Sequence, residues 1–324
     1  MEDEAKPSVF PSVTNTSDDC NDVYSNPFST LYFIMFPVAL LLNSVAAWVA
    51  VHLKSTTTFI VYLKNLIGAD LILTLMLPAV AISELPAAPR HLYVLSCKFF
   101  RVIFYSAFYT SITFLGLISL DRFAKIVTPR SKFGGSVMLS SVIALAVWGV
   151  IFGLNALPTI FLSNKQTNET EIQSCMETKV PAGIVYHKFI TITLNVYFWF
   201  ISVVVVICYI CISNKVIQSF RKSGSNNSKG KQKIKLRVFM VLVVFFGSFG
   251  PYHVIRIPYT FDQVNAENNC FWWSKLAKDF GLWLATNNIC LDPLLYVFLC
   301  REFKEKLSSL FKKFTRIRPG TTSE

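Results

Sequence analysis

The sequence predicts an all-α membrane protein, a seven-transmembrane helix bundle closed by a short amphipathic C-terminal helix. Three observations lead there. Of 324 residues, 53% are hydrophobic and only 15% charged, whereas an ordinary soluble domain carries about 25% charged residues. Apolar stretches long enough to cross roughly 30 Å of hydrocarbon, on the order of 20 residues each, recur seven times along the chain. Lys and Arg also segregate between alternate connections: 20 fall on one side and five on the other. A mean hydropathy of +0.47 excludes a soluble enzyme, a collagen, a coiled coil and a disordered chain.

The spans read as Phe28–His52, Phe59–Leu85, Leu92–Ile126, Val137–Leu162, Tyr186–Ile212, Ile234–Tyr259 and Trp273–Cys300. Polar residues and prolines interrupt several of them, as expected of helices packed against each other rather than alone in lipid. Residues 1–26 carry six acidic residues and no apolar core of a cleavable leader, so the first span is expected to act as its own insertion signal. The expected organisation is an N-terminal tail over 1–26, a membrane domain over 27–300, and an amphipathic helix with a tail over 301–324. In that last segment Phe303, Leu307, Leu310, Phe311 and Phe314 fall at helical spacing among lysines, a helix too short to span and suited to the membrane surface.

The basic excess, +12 overall, is a topological signal. By the positive-inside rule the N-terminus is outside and the C-terminus inside, so the excess marks no nucleic-acid partner. The sequons at Asn15 and Asn168 then fall outside, where glycosylation is possible, and that at Asn226 inside. Cys20, Cys97, Cys175 and Cys270 also fall outside, in an oxidising space that suggests two disulfides; the residues alone leave three pairings open. Cys208, Cys211, Cys290 and Cys300 read as buried small hydrophobes, with Cys300 also a palmitoylation candidate.

Ionisable residues inside spans are costly and mark function. Arg101, Arg256 and Lys278 stand at the outer ends of spans three, six and seven, with His187 at the start of span five. Singly, Arg101 or Lys278 could snorkel to headgroups, His253 could be a satisfied bundle histidine, and Tyr105 or Tyr259 an interface aromatic. Together they suit a water-filled, positive cavity for an anion. Deeper, Asp70, Ser111, Asn288 and Asp292 gather near Asn43. They read either as hydrogen-bonded helix glue or as oxygen ligands for a small cation such as Na⁺; no other cofactor is expected. A transporter or channel is the rival class, but the chain shows no inverted repeat and no matched pair of broken helices.

Asn43, the run Leu66 to Asp70, Asp121-Arg122-Phe123, Trp148, Phe249-Gly250-Pro251-Tyr252 and Asp292-Pro293-Leu294-Leu295-Tyr296 stand in order on successive spans. This set resembles the rhodopsin-like (class A) G-protein-coupled receptors from about Ser25 to Phe314. The runs Thr58–Asn65, Phe114–Arg122, His253–Thr260 and Cys290–Pro293 resemble the purinergic nucleotide receptors, in the Gi-coupled branch answering ADP or UDP-sugars. The resemblance implies a plasma-membrane receptor, not an enzyme. It implies phosphate binding by Arg256 and Lys278 with His187 and Tyr259, a base bordered by Tyr105, and coupling to a heterotrimeric G protein through Asp121, Arg122, Tyr209 and Tyr296. Lysophospholipid-responsive and orphan relatives share the framework. Departures at Lys278-Asp279, Thr159 and Thr191 border the pocket. The expected disulfides join Cys97 with Cys175 and Cys20 with Cys270, and Arg122 is expected to pair with Asp121 at rest.

Overall fold

The computed structural model describes residues 27–128, 136–165, 174–222, 228–265 and 272–316. The described residues are helical with short connections and contain no strand. The elements are α1 (Ser29–Val51), α2 (Thr58–Ser83), α3 (Arg90–Val127), α4 (Val137–Phe161), α5 (Pro181–Lys222) and α6 (Ser228–Asn265). α7 runs as Trp272–Thr286 and, after Asn287, as Asn288–Leu299; α8 is Arg301–Arg316. Six helices are long and apolar enough to span, and α7 with α8 forms a pair bent by 90°. The expected spans are therefore found, with α5 and α6 extending beyond them. Asn15, Cys20, Asn168, Asn226 and Cys270 lie outside the described residues.

In hydrocarbon each backbone donor and acceptor must be satisfied by protein, which is why the chain answers with helices. Thr57 caps α2 by accepting from Ile60 N, and Ser136 caps α4 by accepting from Leu139 N. Hydroxyls inside the spans fold back on their own helix. Ser106 donates to Val102 O, Thr110 to Ser106 O, and Thr260 to Arg256 O, each at 2.7–2.8 Å. Pro293 has no N–H to give the Ile289 carbonyl. Asn43 of α1 takes that role, its Nδ2 donating to Ile289 O at 2.8 Å. The prolyl break thus supplies one tie between α1 and α7, besides the packing of Phe28 on Phe280 and Trp283.

Helices in lipid gain little from apolar burial against each other, so close packing and buried polar contacts must hold the bundle. Its centre is aromatic: Phe108, Phe198, Phe249 and Tyr252 are almost wholly buried. Phe108 meets Phe249 at 5.5 Å and Tyr252 at 5.8 Å between centroids, in edge-on geometry. A second core joins α1, α2, α3 and α4 through Ala46, Val49, Leu63, Leu66, Phe114 and Trp148, and Trp148 Nε1 donates to Asn65 Oδ1 at 3.0 Å. Gly281 permits a close approach of α7 to α6. A Cβ there would lie 2.9 Å from Tyr252 Cα and 3.0 Å from its N.

α8 packs by Phe303, whose ring lies 5.9 Å from that of Tyr296. Cys300 is buried at the bend, its Sγ accepting from Phe303 N. The thiol read as an acylation candidate therefore points inward, held by the turn that redirects the chain. One expected disulfide is present: Cys97 is bonded to Cys175, which fixes the segment before α5 to the start of α3.

Candidate functional site

Tyr252, Arg256 and Tyr259 recur at the three- and four-residue spacing that puts them on one face of α6. That face meets Tyr105 of α3 and Lys278 of α7. The Arg256 guanidinium lies 5.7 Å from the Tyr105 ring centroid, 6.0 Å from that of Tyr252 and 5.9 Å from that of Tyr259. Lys278 Nζ stands 5.1 Å from the same Tyr259 ring. Two cations on neighbouring helices thus lie near one aromatic ring. Each residue is only 8% exposed. Lys278 also pairs with Asp279 beside it. Among the described residues Arg256 has no carboxylate partner, so tyrosine rings are what offset its charge.

Other candidates are placed differently. Arg101 bonds Glu84 at the end of α2 at 2.8 Å and lies 5.4 Å from the Tyr93 ring. Glu84 also accepts from Ser29 Oγ at 3.1 Å. Arg101 is therefore a neutralised strut joining α3 to α2 and α1, paired with an acid as Lys278 is, and among the described residues Arg256 is the cation of the three without a carboxylate. His253 is 1% exposed and lies below Arg256, its ring stacked 3.6 Å from that of Phe198. Its Nδ1–H donates to Phe249 O at 2.8 Å. This histidine packs α6 against α5, and Asn195 Nδ2 reinforces the contact by donating to His253 O at 2.7 Å. His187 lies near Arg256 and Lys179. Lys179, just before α5, is buried, and its Nζ donates to Ser163 Oγ at 3.0 Å. Burial lowers the Lys179 ammonium to about 8.

At mid-depth Asp70 of α2 is fully buried and accepts from Ser111 Oγ at 3.0 Å and Tyr296 Oη at 2.7 Å. Asn288 Nδ2 donates to Asp292 Oδ2 at 2.6 Å. Asp292 Oδ1 and Asn43 Oδ1 are buried acceptors without a hydrogen-bond partner. Below this cluster a cavity of about 270 Å³ reaches from Asn288 and Asp292 past Tyr296 and Tyr209 to Arg122.

Residues 42–296 match the family described as "7 transmembrane receptor (rhodopsin family)". The chain belongs to this family. The receptor is 41% identical to purinoceptor 13 of Homo sapiens over 283 residues, covering 86% of this chain and 80% of that one. It is 37% identical to G-protein coupled receptor 87 of Mus musculus over 304 residues, covering 90% and 83%. It is also 37% identical to purinoceptor 14 of Bos taurus over 280 residues, covering 86% and 83%.

At the Arg122 end the receptor departs from the expected resting pair. Asp121 accepts from Thr58 Oγ1 and pairs with Lys125 at 2.8 Å, while the Arg122 guanidinium lies 3.8 Å from the Phe59 ring centroid. Residues four apart on a helix lie on the same face, one turn from each other. Lys125 is thus the better-placed partner, and Arg122 is left over an α2 aromatic. The i, i+4 spacing of Asp121 and Lys125 is visible in the sequence. The approach of Phe59 and Thr58 to them is not. Glu84 and Gly281 also escape sequence reasoning, although an acid at the end of span two, level with Arg101, is a legible signal of charge pairing.

Proposed function

We propose that this receptor sits in the plasma membrane with the Cys97 end extracellular, binds a nucleoside diphosphate or nucleotide sugar there, and couples to a heterotrimeric Gi protein at the Arg122 end. The observation that carries the reading is the pair Arg256 and Lys278, buried on adjacent helices around the Tyr259 ring. Two desolvated cations at one level suit a diphosphate, and a guanidinium matches phosphate oxygens bidentately. Tyr105, in contact range of Arg256, offers a face or an edge for the base. The disulfide supports an oxidising, extracellular side for this end. The names of the purinoceptor relatives point to the same ligand class.

The ligand shifts a population rather than undergoing chemistry. Phosphates drawn to both cations favour closer α6 and α7 at the outer level. α6 then pivots at Pro251, and its inner end leaves Arg122 open to the G protein. At mid-depth, Asp292 Oδ1 and Asn43 Oδ1 lack partners, Asn43 reaches the Ile289 carbonyl one turn before Asp292, and Asp70 accepts from Ser111. Hard oxygen donors of this kind fit Na⁺, which would hold the resting arrangement.

The test is a set of dose–response curves for agonist-dependent GTPγS binding, with ADP, UDP-glucose and lysophosphatidic acid. Losing one partner of a desolvated charge pair costs about 2–5 kcal/mol. Arg256→Ala therefore weakens a nucleotide agonist by roughly 30-fold or more, and Lys278→Ala weakens it as well. A wild-type receptor that ignores both nucleotides and answers the lysophospholipid overturns the ligand assignment and leaves the receptor family standing.

A further inference from the structure

On the flank of the Arg122 end, a second cavity of about 940 Å³ opens between α5, the end of α3 and α6. Its walls divide by chemistry. Val127 of α3, Ile217 of α5, and Phe239 and Leu242 of α6 make an apolar side, and Phe239 is 61% exposed. Asn214, Lys215, Gln218 and Arg221 of α5 make a side composed of hydrogen-bond donors. Among the described residues no acid lines the cavity, and neither Lys215 nor Arg221 takes part in a salt bridge. An exposed phenylalanine next to two uncompensated cations, at the edge of a membrane span, calls for an occupant with both an anionic head and a hydrocarbon tail.

We propose that this groove is a seat for an inner-leaflet phosphoinositide. The acyl chain lies along Val127, Phe239 and Leu242, and the phosphates meet Lys215 and Arg221. Phosphatidylserine is the commoner anionic lipid, but the ammonium in its headgroup offsets one of its two negative charges and leaves a single net charge for two cations. An inositol phosphate carries no ammonium, and its hydroxyls and phosphates are acceptors for the amides of Asn214 and Gln218 as well as for both cations. The seat is separate from the Arg122 cavity, and no nucleotide-contacting residue lines it. Only the assignment to the inner leaflet rests on the orientation proposed above; the binding itself does not, so the two can fail independently.

The experiment is native mass spectrometry of the full-length receptor titrated with phosphatidylinositol 4,5-bisphosphate, phosphatidylserine and phosphatidylcholine. The wild type is expected to retain the phosphoinositide in preference to the other two. At about 1 kcal/mol per basic residue, Lys215→Gln with Arg221→Gln weakens that binding by about 30-fold. Lys304→Gln with Lys312→Gln on α8 serves as a control for general basicity and changes it less than threefold. Phe239→Gln weakens the intact lipid but leaves the soluble headgroup, inositol 1,4,5-trisphosphate, unaffected, and it keeps the proposal testable should the double α5 variant fail to fold. Equal retention of phosphatidylserine, an equal loss in the α8 control, or a soluble headgroup that binds as tightly as the lipid would overturn the proposal.

Discussion

Gly281→Ala is a local perturbation of the α6–α7 contact, one turn from Lys278. The added Cβ would lie 2.9 Å from Tyr252 Cα, 3.0 Å from Tyr252 N and 3.3 Å from Pro251 C. Carbon atoms in contact sit at about 3.5 Å or more, so the shortfall at Tyr252 Cα is about 0.6 Å. All three neighbours are backbone, and no rotamer change can relieve the overlap. Overpacking of this kind costs about 1–3 kcal/mol. Replacing glycine in a helix also brings a gain of about 0.5–1 kcal/mol, which hides part of that cost. Gly247→Ala on α6 isolates it, because nothing lies within 4 Å of a Cβ there. The helix gain cancels between the two variants, leaving Gly281→Ala less stable than Gly247→Ala by the full 1–3 kcal/mol. Thermal unfolding of the purified receptor without ligand measures that difference. Spreading α6 from α7 also parts Arg256 from Lys278, and a nucleotide must then restore the overlap on binding, so saturation binding weakens about 5- to 150-fold. Equal melting and equal affinity for the two glycine variants would refute the claim that α6 and α7 touch here through backbone.

Three further outcomes are expected. Phe59→Ala removes the ring under Arg122 and, at about 0.5–2 kcal/mol for such a contact, raises basal GTPγS binding by about 2- to 30-fold at equal surface expression; Asp121→Asn, which leaves Arg122 over Phe59, raises it less. Replacing a bulky organic cation by Na⁺ at constant ionic strength lowers agonist affinity in the wild type, by linkage, and Asp70→Asn abolishes the effect; an Asn variant with full sodium sensitivity rules out the cation site. Lys179 holds its proton less well when folded, near 8, than unfolded, near 10.4. Between those values the unfolded state binds more protons, so stability rises with pH, and a melting midpoint that climbs from pH 7.5 to 9 in the wild type but not in Lys179→Met is the expected result.

What the sequence discloses about this receptor follows how local each signal is. The spans are legible because lipid demands a continuous apolar helix, and the Asp70–Asp292 cluster because a carboxylate in a span stands out. Arg256 and Lys278 are legible as cations at one depth. His253 shares a helical face with Arg256 and so reads as a ligand contact, but helical spacing gives direction without depth; one turn lower, that face is closed by Phe198 and Phe108. Arg101 reads as a third binding cation because its neutralising acid, Glu84, lies 17 residues away on another helix. The resting pair expected of Asp121 and Arg122 fails for the same reason. Asp121 and Arg122 take other contacts, Lys125 one turn on in α3 and Thr58 and Phe59 at the start of α2.

α3 is clamped to its surroundings along its whole length. The Cys97–Cys175 bond holds one end, the Arg101–Glu84 pair stands a turn below, Ser111 donates to Asp70 midway, and Asp121 takes the Thr58 hydroxyl at the far end. Mechanically, α2 and α3 form a stator, a fixed post against which other parts turn. α6 meets its neighbours largely through aromatic rings, stacked or edge-on, with the Asn195 hydrogen bond to the His253 carbonyl as a fixed point towards α5. On the proposed function, a ligand drawing on Arg256 is expected to move α6 against this post rather than to deform the post. Engineered crosslinks within the α2–α3 pair should leave signalling intact, whereas a single crosslink from α3 to α6 near the Arg122 end should lock the receptor in whichever state it was made.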